Sequence, residues 1–516
     1  MSSFAVSMNR CVWFLLLLCT VDARTAGAQA VGEGTATSVM YASLAGMPIA
    51  ASVGSRVEEA RRHILAMNLE AVDRALDMRS LSVDEAALVG WTRELARLLE
   101  LLVADSSSDY DAFLERNERL YEQVDEAPGT AWRHWLLGEI SLQRTWARSK
   151  RGDAFKAAWS ARRALGHLER ARALDPGLIE PLKGLGLLHM GIGALPDRFR
   201  RVLGWFGIEG SLDQGLAELV QARDASVWNR QEAAVLLATV DKFGFPSPVD
   251  AAEVYAELWA AYPGSPLIGL SYADVLIRER QPVEALAVLD ATSDPSGTVH
   301  YLIWYRGEAL YRLGHCPQAE AAFAEYERIH EGASLKLAGR LLAGQCAELG
   351  GRRQEAESWY ARIVGERGFA EELAAQRRAA RLLESPMTEG EKDLLRAWGS
   401  FDSGRDSTAM AQFSALVESR HETSHVRAEA TYGVARVFHE TGETSEAITW
   451  YERTLAEAAD PLAKWHGFAR MHLVELYLDS GHEQRALSTL SDLHAMEEAY
   501  DYRSSVENRV RFLITD

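Results

Sequence analysis

The 516-residue chain is 47% hydrophobic, 9% aromatic and 25% charged, a globular profile long enough for several domains or one repeat array. It sets 55 Lys and Arg against 74 Asp and Glu, a net charge of −19, and with no basic block this argues against nucleic acid or anionic lipid as a bulk-charge partner. Only seven of the cations are Lys, and 14 prolines among abundant Ala, Leu, Glu and Arg leave room for long helices.

Arg10 precedes an apolar run from Cys11 to Val21, too short to span a bilayer, and Ala28-Gln29-Ala30 follows. Basic start, short apolar middle and small-residue site read as a signal peptide over 1–30, so the chain is expected to be exported, periplasmic or envelope-associated. A lipoprotein form with Cys19 lipidated is disfavoured, because Leu18 occupies the place of a small residue. Residues 31–54 are expected to be a flexible leader. Once the signal is removed, only Cys316 and Cys346 remain. An oxidising compartment permits a single disulfide between them, but two small buried thiols are the expected reading.

Residues 55–130 form an N-terminal helical region. Leu65, Leu69, Val72 and Leu76 make one apolar stripe, and Ser82 with Glu85 spells a capping box for a helix through Val103. Ser106–Asp109 offers caps for a third helix, and Pro128-Gly129 breaks the pattern.

The region 131–245 opens with two long helical stretches. Gly184, Gly186, Gly191 and Gly193 then stud a segment in which His189 spoils any nucleotide loop, so close helix packing is expected there. Leu195-Pro196, an amphipathic stretch, Trp205-Phe206-Gly207 and Gly210…Gly215-Leu216 follow in that order. This skeleton is similar to the eukaryotic inclusion-body-clearance and mitochondrial outer-membrane tetratricopeptide family and to exported bacterial relatives, and the resemblance implies a non-enzymatic adaptor with no catalytic residue to carry over. Phe199, Val202, Leu203 and Phe206 give the insert near 195–215 an apolar face, with Arg198, Arg200 and Arg201 elsewhere. It is expected to pack on its own coil; an interfacial membrane segment over 195–206 is the alternative.

Region 246–516 repeats. A Gly, an Ala five residues on and an aromatic or Leu four beyond recur as Gly314–Ala319–Phe323, Gly351–Ala356–Tyr360, Gly404–Ala409–Phe413, Gly442–Ala447–Tyr451 and Gly481–Ala486–Leu490. The Gly-to-Gly steps are 37, 53, 38 and 39 residues, and the long step holds an extra helical stretch, Glu371–Glu384. Partial copies sit at Ala251–Tyr255–Leu258 and Ala285–Leu289. A Gly turn, a small residue and an aromatic plug describe an antiparallel helix pair that buries its apolar side only against the next pair. The pattern, best seen over Tyr305–Tyr326 and Tyr432–Leu455, resembles the tetratricopeptide repeat family. The expected fold is therefore an all-α solenoid of helical hairpins with an amphipathic insert.

One catalytic motif is literal: His421-Glu422-Thr423-Ser424-His425 matches the zinc-peptidase spacing H-E-x-x-H. It falls between two repeats, where a solvated turn is expected instead of the continuous helix such enzymes need. No catalytic residue, metal or cofactor is expected. The family resemblance implies a protein or peptide partner held on the concave face, and it selects Arg278, Tyr301, Trp304, Tyr311, Arg312, Trp398, Phe401, Tyr432, Arg436 and His439, aromatic and Arg side chains of the kind that anchor interfaces.

Overall fold

The computed structural model describes residues 49–516 except 106–108, 128, 196–199, 202–203, 205–207, 241, 243–246, 367–369, 458–463, 496–505, 507–508 and 511–516. The signal peptide, residues 31–48 of the leader, and the insert's Phe199, Val202, Leu203 and Phe206 lie outside the described residues. Every regular element described is a helix, and nearly all of them pair as antiparallel hairpins. The first pair is α1 (Ala51–Leu65) with α2 (Leu69–Ala75), followed by α3 (Val83–Ala104) with α4 (Tyr110–Asp125) and α5 (Ala131–Lys150) with α6 (Ala154–Leu174). Next come α7 (Pro181–Gly193) with α8 (Leu212–Ala225), α9 (Arg230–Val240) with α10 (Ala251–Ala261) and α11 (Pro266–Arg278) with α12 (Pro282–Ala291). The later pairs are α13 (Tyr301–Arg312) with α14 (Cys316–Ile329), and α15 (Lys336–Leu349) with α16 (Arg353–Ala361). A single helix, α17 (Ala370–Glu384), fills the long sequence step. Then follow α18 (Glu389–Asp402) with α19 (Asp406–Glu418), α20 (Ser424–Glu440) with α21 (Thr444–Ala456) and α22 (Lys464–Asp479) with α23 (Glu483–His494).

Local chemistry sets many of these boundaries. Ser82 and Glu85 form the expected capping box at α3, and Thr388 with Glu391 forms a second at α18. The stripe from Leu65 to Leu76 is split rather than continuous: Met67 takes a left-handed φ of 50° and Asn68 caps α2 by accepting from Ala71 N. The five repeat glycines, Gly314, Gly351, Gly404, Gly442 and Gly481, all adopt φ between 71° and 80°, the left-handed turn that a Cβ would strain. Their partner alanines Ala319, Ala356, Ala409, Ala447 and Ala486 are buried. The aromatic plugs then meet small residues: a Cβ on Gly307 would lie 2.8 Å from Phe323, and one on Gly344 would lie 2.3 Å from Tyr360. Small residue, sharp turn and ring thus act as one unit in each hairpin.

The glycine-rich α7 is a packing surface, as its sequence implies. Gly186 and Gly193 lie against α8 so closely that added Cβ atoms would stand 2.7 Å from Gly215 O and 2.5 Å from Leu212 N. Gly191, by contrast, faces open space.

The sequence pattern implies an open spring; the structure is wound tighter, because hairpins far apart in the chain touch. Arg61 of α1 donates to Glu232 Oε1 of α9 at 2.6 Å and to Trp228 O at 2.9 Å, with its guanidinium 5.5 Å from the Trp91 ring. Ser265 donates to Leu65 O at 2.9 Å. Asp105, at the end of α3, accepts from Ser334 N at 3.3 Å and stands 3.4 Å from His330, both between α14 and α15. Arg280 donates to Phe401 O at 2.7 Å and pairs with Asp406.

The α5–α6 hairpin is electropositive and pairs with the hairpin before it. Residues 131–174 hold ten Lys and Arg against three Asp and Glu in a chain of net charge −19. Five of these cations meet acids of other segments: Arg133 with Asp84, Arg144 and Arg163 with Glu118, Lys150 with Asp105 and Arg151 with Asp111. These cations are too dispersed to read as a basic block, yet folding gathers them.

Two outcomes test the packing. Arg61→Met strands the buried Glu232 carboxylate beside Lys183 alone and should cost about 3–5 kcal/mol in urea unfolding. Gly215→Ala would press a methyl to 2.5 Å from Met190 N and should cost about 1–3 kcal/mol by overpacking, a range a thermal melt resolves.

Candidate functional site

The residues expected to line a groove lie on first helices of hairpins, α11, α13, α18 and α20, and these helices, with α22, carry a series of ion pairs. Lys242 reaches Asp274 at 2.8 Å, and Arg278 stands 3.6 Å from the same carboxylate. Burial pushes the Asp274 carboxyl up, but Lys242 and Arg278 outweigh it and hold it below its ordinary value. Arg312 donates to Glu308 at 2.8 Å and to Ile277 O at 3.3 Å, and lies 3.8 Å from Asp402. Arg280 covers the Phe401 ring at 4.0 Å and reaches Glu440 at 3.7 Å.

The last group is a relay. Arg436 donates to His472 Nε2 at 2.8 Å, His472 Nδ1 meets Glu475 Oε2 at 3.0 Å, and Arg509 donates to Glu475 Oε1 at 2.8 Å. With an Arg donating to Nε2, the imidazole proton belongs on Nδ1, facing the carboxylate. Burial, followed by the Arg436 charge, holds His472 down to about 4.

The ten residues selected from sequence divide by burial. Tyr301, Trp304, Phe401 and Tyr432 are enclosed, which corrects their expected exposure on the groove. Tyr301 packs 5.0 Å from His330, and Trp304 crosses Tyr305 edge-on at 5.1 Å. Phe401 and Tyr432 flank Trp398 at 5.6 and 6.0 Å. Large rings at these places fill helix joints, where they bury more area than a groove allows. The other six are half-buried: Arg278, Tyr311, Arg312, Trp398, Arg436 and His439. Tyr311 donates to Gln345 at 2.7 Å, Trp398 Nε1 to Glu429 at 3.0 Å, and His439 Nδ1 stands 3.1 Å from Tyr451 Oη. Each of the six therefore already has an internal hydrogen-bonding or ionic neighbour.

A second polar site was not legible. A cavity of about 20 Å³ lies between α3, α5, α7 and α9, lined by Trp91, Gln143, Trp146, Glu139, Lys183 and Glu232 among others. Lys183 bridges Glu139 at 2.5 Å and Glu232 at 3.2 Å, and burial pushes the Glu139 carboxyl up. That volume admits about one water molecule, not a substrate. Glu139 and Lys183 lie 44 residues apart, and no local motif links them.

The H-E-x-x-H segment spans a turn and a helix start. Thr423 caps α20 by accepting from Val426 N, so His421 and Glu422 precede the helix that contains His425. His425 packs 4.7 Å from the Trp465 ring. No group of three or more His, Cys, Asp or Glu that could hold a metal occurs among the described residues. No described helix is long and apolar enough to cross a membrane.

The family model described as tetratricopeptide repeat matches residues 306–371 and 394–463. Those segments span α13 to α16 and α18 to α21, the hairpins with the strictest Gly–Ala–aromatic spacing. No curated protein matches. Similar solved structures include a human IFIT1 dimer with PPP-AAAA, at 12% identity and TM-score 0.31, covering 90% of this chain and 100% of that one. The Cut9–Hcn1 hetero-tetramer of APC/C matches at 12% identity and TM-score 0.25, covering 92% and 99%. Yeast Tom70 matches at 10% and 0.22, covering 99% and 94%.

His472 gives the inner face a pH signature. An unfolded His binds its proton near 6.5 while the native one waits until about 4, so the native chain holds fewer protons in that window and stability rises with pH across it. Denaturation midpoints should fall as pH drops from 6.5 towards 4. His472→Gln should flatten part of that slope, with His167, also held down to about 4, supplying another part.

Proposed function

We propose that this chain, which carries tetratricopeptide repeats over 306–371 and 394–463, is a non-catalytic scaffold that holds a protein or peptide partner along the inner face of its C-terminal half. One observation carries the reading: half-buried Arg278, Arg312 and Arg436 stand on first helices of separate hairpins, each beside a carboxylate. None of these guanidinium groups is wholly withdrawn from water, so a partner's carboxylate can take the place of the internal one with the same charge-assisted hydrogen bonds. A partner bearing spaced acidic and polar groups would replace those pairs in register.

A photo-crosslinking residue placed at Arg278, Arg312 or Arg436 in living cells should give adducts with one common protein. The same residue at the outer, exposed Arg328 or Arg485 should not. Adducts from the outer positions alone would reject the inner face.

The proposal includes export, supported by Arg10, the apolar run Cys11–Val21 and Ala28-Gln29-Ala30. N-terminal sequencing of protein from fractionated cells should begin at Val31. An intact Met1 in the cytoplasmic fraction would end this part.

A further inference from the structure

The only cysteines in the described part of the chain lie 30 residues apart and on different hairpins. Cys316 opens α14 and Cys346 sits near the end of α15. The fold brings them together: both belong to one apolar cluster, and the Tyr311–Gln345 and Arg352–Glu320 contacts hold the start of α14 against the end of α15. Their exposure is unequal, Cys316 being half-buried and Cys346 fully enclosed.

We propose that Cys316 and Cys346 form a dithiol couple that closes to an intramolecular disulfide, stapling the second helix of one repeat to the first helix of the next.

Three features give the couple a direction. Cys316 occupies the first turn of α14, where the helix dipole favours a thiolate. The neighbouring Cys346, helped by the Arg352 and Arg396 charges, holds the Cys316 thiol below its usual range, while Cys316 and burial push the Cys346 thiol up. Solvent reaches Cys316 alone. The half-exposed thiolate therefore attacks first and the enclosed thiol resolves.

The oxidant is a small disulfide such as oxidised glutathione. The Cys316 thiolate attacks one glutathione sulfur, the S–S bond breaks, and one glutathione thiolate leaves. Cys346 then gives up its proton and attacks Cys316 Sγ, and the second glutathione departs. Two protons and two electrons pass from the protein to the oxidant, which ends as two thiols. The chemistry is independent of the partner-binding reading. It does meet the inner face structurally, because Gln345, the acceptor of Tyr311, is the residue before Cys346.

Full-length chain incubated with oxidised glutathione, alkylated and digested with trypsin isolates the pair from Cys11 and Cys19. Peptides 313–328 and 341–352 carry one cysteine each. The expected product is a single species joining those two peptides, two hydrogens lighter than the reduced pair, with a melting temperature raised by several degrees and restored by dithiothreitol. Cys346→Ser should instead accumulate a glutathione adduct on peptide 313–328, and Cys316→Ser should leave Cys346 unmodified in the native state. Wild-type protein that keeps a stable adduct at Cys316 beside a free Cys346, or that leaves both thiols unmodified, would overturn the proposal.

Discussion

Four buried charges, Arg61, Glu232, Lys183 and Glu139, hold the N-terminal half of this coil in one arrangement. They come from α1, α9, α7 and α5, and the first pair alone spans 171 residues of sequence. Taking such groups out of water costs several kcal/mol each, so they persist only when every member is paired. Misplacing any of the four helices strands a charge in an apolar joint between Trp91 and Trp146. An apolar interface of the same size would tolerate sliding; this one is exacting about register. Glu180 adds to the lock, since its carboxylate accepts from Ser226 Oγ at 2.5 Å and from Val227 N at 2.7 Å, fixing the entry to α9.

The C-terminal half is organised differently. There the repeat unit itself supplies the register, with a ring seated on a small residue, and the apolar clusters are smaller and successive. Polar order is displaced to the inner rim, where Arg312, Arg280 and Arg436 each bridge between turns or helices. Local hairpins are thus joined by charges at their rims as well as by apolar contact.

The helical units were readable because their determinants are short-range. A Gly at a left-handed turn, an alanine five residues later and a ring after that all fall within one hairpin, as does the Ser82 cap. Even the irregular step between Gly351 and Gly404 announced α17. The groove was only partly readable. Helical spacing marks Tyr301, Trp304, Phe401 and Tyr432 as belonging to the inner side of their helices, but it does not say whether that side faces solvent or the adjoining hairpin. The coil proved tight enough to enclose them.

The sequence by itself therefore determined helix content, hairpin connectivity and the spacing of the repeats, since each depends on residues within about forty positions. Tertiary structure alone decided what touches across the coil: Arg61 on Glu232, Asp105 against His330, Arg280 over Phe401 and Cys316 beside Cys346. Those pairings depend on the small rotation added at each stacked hairpin. Summed over several units, it moves a distant side chain from solvent to contact, and no pattern local to the chain encodes that sum.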